Sequence, residues 1–170
     1  MDKLEKDNLS LKEKLESSMT QEQVEIFHQK IEKLGGELHD IWRESRKKED
    51  GTFEPRVKAT KDNEWINSHG TNQVDIANTS FENLPNDWQV ENRASAEVAV
   101  SLIYKAKINK KAIDSAFVEE ASSVVHDKWL ERNSSWAPAE QKVSYSELPE
   151  AEKEKDRAII RKGVDVVKQD

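Results

Sequence analysis

Cysteine is missing from all 170 residues, and with it go disulfide frameworks, thiol nucleophiles and Cys-based zinc sites. A metal would have to be held by carboxylates and by only four His. No apolar run is long enough to span a bilayer, and the opening stretch "MDKLEKDN" carries charge where a signal peptide has its apolar segment. These absences lead us to expect a soluble, cytoplasmic protein without a membrane partner. A Walker loop, a GxSxG elbow and a GxGxxG turn are absent as well, so three common enzyme chemistries have no sequence support. The net charge of −7 provides no basic surface for counterion release, which argues against a nucleic-acid polymer as partner. A small anionic ligand remains compatible where Arg is concentrated locally.

Charged residues (36%) slightly outnumber apolar ones (35%), so apolar positions must be placed economically to offset chain entropy. Five Trp contribute to that placement. Leu4, Asn8, Leu11 and Leu15 follow heptad spacing, with Asn8 at a position that fixes register in coiled coils. Residues 1–19 therefore read as an N-terminal helix, a candidate short coiled coil and a source of homo-oligomers. Thr20 and Gln23 form a capping-box pattern, and Val24, Phe27, Ile31 and Leu34 make one apolar stripe behind it. Gly35-Gly36 reads as a weak point or bend before "ELHDIWRESRKK" resumes helical spacing. Periodicity is then lost, with Gly51, Pro55 and Gly70 as breakers and "TFEPRVKAT" as the strand candidate. Helices are expected again from Pro85, from about Ala112 and from Pro149, with Ile113, Phe117, Ala121, Val124 and Trp129 near one face of the second.

"HDIWRES", residues 39–45, returns as "HDKWLER", residues 126–132. A second echo follows in the same order: "SFENLPNDWQVENRA", residues 80–94, aligns without gaps on "SYSELPEAEKEKDRA", residues 144–158. Two blocks recurring in one order indicate internal duplication. Phe81 lies 42 residues after His39, but Tyr145 only 19 after His126, so the first copy carries an insertion. The resulting division is 1–19 for the N-terminal helix, 20–104 for the first repeat with its long loop, 105–111 for a linker and 112–170 for the second repeat. The expected class is mainly α with minor β, the repeats packed about an approximate two-fold axis with equivalent residues near a shared cleft.

The stretch "VVHDKWLERNSSWAPAEQKVSYSELPEAEKEKDR" resembles the ryanodine-receptor repeat domain. That pattern has a helix ending in HxxW, a basic residue soon after, a downstream Trp, an aromatic before "LP", and "EKxxxR" in the next helix. The likeness covers about residues 118–167, and residues 31–104 follow it more loosely, with "WQVENR" replacing "EKEKDR". The resemblance implies a small α-helical module, used in tandem in giant calcium channels and as stand-alone proteins in bacteria and phages. It also implies a cleft where an adenine nucleotide or cyclic nucleotide sits between Trp side chains. Carried onto this chain, the ligand-binding set is His39, Trp42, Arg46, Asn92 and Arg93 from the first copy, with His126, Trp129, Asp156 and Arg157 from the second. Asn133 stands where the second copy should have its basic residue, and Trp136 matches the downstream Trp.

Trp at i+3 from His shares a helix side with it, so indole and imidazole can reach one ligand, while Arg suits phosphate. The competing reading makes Trp42 and Trp129 core residues and each His a partner of its own helix. Trp65, Trp88 and Trp136 read as core or loop anchors. Neither a metal set of His39, Asp40, His126 and Asp127 nor a hydrolase built on either His is favoured, because adjacent His and Asp point apart on a helix. We therefore expect a non-enzymatic binder, without metal or cofactor, that senses or sequesters a nucleotide-derived signal, for instance a phage protein countering host immunity. The rival reading is a protein-interaction or assembly module using the N-terminal helix and the repeat surface.

Overall fold

The computed structural model describes residues 10–168. The protein is mainly helical, with six helices and one two-stranded sheet among the described residues. In chain order these are α1 (Leu11–Glu16), α2 (Gln21–Glu44), β1 (Val57–Ala59), α3 (Asn63–His69), β2 (Gln73–Asp75), α4 (Asn86–Ile108), α5 (Ser115–Asn133) and α6 (Glu150–Lys168). No helix among the described residues is long and apolar enough to cross a membrane. The chain groups into two compact units: a middle unit, Glu32–Ala94, and a flanking unit made of the segments up to Ile31 and from Ser95 onward. Leu4 and Asn8, the first half of the heptad pattern, lie outside the described residues.

Within the flanking unit, the expected capping box forms: Thr20 Oγ1 accepts from the Gln23 amide at 3.1 Å, and Gln23 Oε1 accepts from the Thr20 amide at 2.9 Å. It starts α2 and separates it from α1. Phe27 is fully buried and tilts against Tyr104 of α4 with ring centroids 4.8 Å apart. α4 runs through the expected linker to Ile108, where Lys110 takes a left-handed φ of +56° and the Lys111 amide reaches back to the Ala106 carbonyl at 2.8 Å. Asp114 caps α5, accepting from the Phe117 amide, which leaves Ile113 outside the helix and exposed rather than on its apolar face. α5 then packs along α6.

In the middle unit, α2 passes through Gly35 and Gly36 without breaking. The expected bend is absent because these glycines face a neighbour: a Cβ on Gly36 would lie 3.4 Å from Cδ1 of Phe81. The long loop is also structured. β1 pairs antiparallel with β2, matching Lys58 to Val74, and the chain between them forms α3. Asp62 caps α3 through Oδ1 and accepts from the Asn86 amide of α4 through Oδ2, while Asp87 of α4 accepts from the Thr60 hydroxyl and the Lys61 amide. Gly70 ends α3 with φ +72°. Val74, Ile76, Phe81 and Leu84 form the apolar cluster here, with Trp42, Trp65 and Trp88 packed against it. Trp65 and Trp88 are thus the anchors expected of them. Trp136, in the flanking unit, is not: it is 64% exposed.

Candidate functional site

Both LP prolines sit at helix starts, where a missing N–H costs nothing. The Pro85 carbonyl accepts from the amides of Trp88 and Gln89, and Pro149 does the same for Glu152 and Lys153. A short 3-10 turn precedes each: Phe81–Asn83 in the middle unit and Tyr145–Glu147 in the flanking unit. The chain just before each turn meets the HDxW helix of its own unit.

In the middle unit His39 is buried, and its Nε2 lies 2.8 Å from the Thr79 carbonyl oxygen. A carbonyl only accepts, so Nε2 carries the proton. Burial, aided by the nearby Arg43 charge, lowers the His39 pKa and favours the neutral ring. The imidazole lies beside Trp42, centroids 5.8 Å apart and planes 22° from parallel. Arg46 comes over the other ring system: its guanidinium carbon is 5.3 Å from the Trp42 centroid. Arg46 is held by two neutral groups, the carbonyls of Glu54 and Pro55, each at 3.0 Å. Asn92 turns inward, its Nδ2 donating to the Trp88 carbonyl at 3.1 Å. Arg93 makes two bonds to Glu32, at 2.6 and 2.9 Å, and lies over the Phe81 ring.

The flanking unit repeats the anchors with other trimmings. His126 Nε2 donates to the Val143 carbonyl at 2.7 Å, and its ring is nearly parallel to Trp129 at 6.4 Å. Thr79 and Val143 each stand two residues before the aromatic of the LP turn, so the two ties are equivalent. Arg157 is bonded to Glu119, Glu150 and Glu154 and to the Tyr145 hydroxyl. These carboxylates raise its pKa, and it in turn holds those of Glu119 and Glu150 below the usual range; Glu154 is lowered first by Arg161 and then by Arg157. Asp156 Oδ2 is 4.0 Å from His126 Nδ1. In place of an Arg over Trp129 there is Trp136, edge-on at 5.8 Å, with its Nε1 donating to Asn133 Oδ1 at 2.9 Å. Asn133 is itself buried and its Nδ2 donates to the Trp129 carbonyl.

Each unit therefore brings its own His and Trp together, and the flanking unit adds Asp156 beside its His, whereas Asn92 bonds within its own helix; the expected roles change. The two His are internal ties. Arg93 and Arg157 are matched by carboxylates, which removes the grounds for assigning them to phosphate. Among the described residues Arg46 is bonded to carbonyls and to no carboxylate, so it keeps its charge beside an aromatic face. The sequence reading missed Glu32 and Glu119, although both stand seven residues before their His and could have been found in the alignment of the copies. Among the described residues no group of three or more His, Asp and Glu could hold a metal ion. No protein-family model, curated protein or solved structure matches the chain.

Proposed function

We propose that the protein binds a nucleotide or nucleotide-derived signal without turning it over, stacking the base on the Trp of an HDxW helix. The observation that carries this reading is the Trp42–Arg46 pair, an aromatic face and a positive charge presented together. Arg46, bonded among the described residues to carbonyls alone, retains its charge for an anion, whereas Arg93 and Arg157 have theirs answered within the fold. Stacking on an aromatic ring contributes about 1–3 kcal/mol per base. The buried state of both His supports binding over acid–base chemistry, since each Nε2 proton is engaged by a carbonyl. Sensing or sequestration follows as the role of such a binder.

A panel of adenine mono-, di- and cyclic nucleotides tests the reading through Trp fluorescence and melting temperature. Quenching and stabilisation are expected, weakened at least about tenfold in Trp42→Ala, the loss of roughly one stacking contact. Arg46→Ala should weaken phosphorylated ligands and leave adenosine unaffected. Silence across the whole panel rejects the proposal.

A further inference from the structure

The flanking unit buries a titratable pair that the middle unit lacks. The side chains of His126 and Asp156 are 6% and 15% exposed, and the carboxyl oxygen lies 4.0 Å from Nδ1. With Nε2 committed to the Val143 carbonyl, the imidazole turns Nδ1 toward that carboxyl group. Burial holds the Asp156 acid above the usual carboxylate range, at about 6. His126 from α5 and Lys155 from its own helix favour the ionised form, and Glu152 opposes it. From the connection before α6, the Tyr145 hydroxyl is already engaged by Glu119 and Arg157. The corresponding residue of the first copy is Asn92, which cannot titrate. On its other side the His126 ring lies against Trp129.

We propose that His126 and Asp156 form a proton-operated latch behind Trp129. With the acid protonated, the buried junction carries no carboxylate charge, and α5 and α6 can draw together across the 4.0 Å gap. Ionised, it places a charge in that junction, loosens it and changes the setting of the Trp129 ring. The latch is confined to the second copy. That it tunes ligand binding rests on the nucleotide reading above; the proton response itself does not.

A carboxyl group whose pKa is raised by folding contributes most stability below its unfolded value, loses it as pH climbs from about 4 to about 6, and then levels off. Melting temperatures of the wild type and Asp156→Asn are compared from pH 4.5 to 7.5. The lowered pKa of His39 acts in the opposite sense but is common to both proteins, so it cancels in the difference. The variant should gain on the wild type by at least about 3 °C between pH 4.5 and 7, then hold a constant lead. Wild-type Trp emission should show a transition near pH 6 that is absent in Asp156→Asn and in Trp129→Phe. The emission titration of the wild type needs no variant to fold. A pH-independent gap overturns the latch, as does a variant that loses ground as pH rises, the mark of a favourable ion pair. AMP quenching at pH 5.5 and 7.5 separates the two proposals. Because the AMP phosphate itself takes up a proton at about pH 6, a difference between the pH values that is lost in Asp156→Asn supports tuning, and one that persists unchanged in the variant, or equality in the wild type, refutes it. No quenching by any nucleotide of the panel at either pH rejects the nucleotide reading, while the melting data still decide the latch.

Discussion

Trp42 has a guanidinium over its ring, whereas Trp129 meets the edge of a second indole. Beneath that difference the two units share their fastenings: His to a carbonyl two residues before the LP aromatic, and Glu seven residues before His to the Arg of the helix that starts at the LP proline. What recurs in the sequence is the scaffold. What diverges is Arg46 against Asn133, beside the Trp of each motif, and Asn92 against Asp156, one bonded within its helix and the other facing a His. Repetition thus marks residues that hold a helix–turn–helix closed, and the positions where the copies disagree mark candidates for recognition.

The comparison breaks most decisively at the His ties. His39→Ala and His126→Ala should each cost about 2–4 kcal/mol in urea denaturation, by leaving a carbonyl unpartnered and a void where the ring was. Unchanged stability in either would return that His to the role of ligand contact. Next comes Tyr145, whose hydroxyl joins Glu119 and Arg157 where Phe81 offers Arg93 only its ring face. Tyr145→Phe should lower stability by about 1–2 kcal/mol, and a neutral result would show the extra network to be idle. The smallest effect is a gain. A Cβ on Gly35 would meet Phe81 at 3.6 Å and Arg93 at 3.7 Å, ordinary contacts, and Ser122 already fills the equivalent place. Gly35→Ala should stabilise by up to about 1 kcal/mol in thermal melts, and destabilisation would mean that the helix needs its glycine.

Helices with long apolar stripes and strong caps were legible from residue patterns: Thr20 and Gln23 announce α2, and the two LP prolines announce α4 and α6. Strand β1 falls within the stretch "TFEPRVKAT" expected to be extended. α3 escaped because seven residues span barely two turns, too few to display a 3.6 period, although Asp62 and Gly70 mark its ends. The bend expected at Gly35-Gly36 failed because tertiary contact with Phe81 outweighs intrinsic propensity. At the candidate site, sequence spacing put the His and Trp of each motif on one side of a helix, where their rings do lie side by side, but could not reveal what the imidazoles bond, since both acceptors are backbone carbonyls and carry no side-chain signature. Nor could it show that Arg93 and Arg157 are neutralised, which depends on helices meeting in register.

The crossed aspartates of the middle unit give its long excursion a mechanical character. Asp62 serves the starts of both α3 and α4, and Asp87 clasps the chain at Thr60 and Lys61. Extra residues grafted at the exposed Asp50-Gly51 turn would dangle harmlessly, whereas one added between Thr60 and Asp62 would unbuckle two helices in a single event. In hydrogen exchange, the amides of Trp65 and Asn86 should consequently open on one clock.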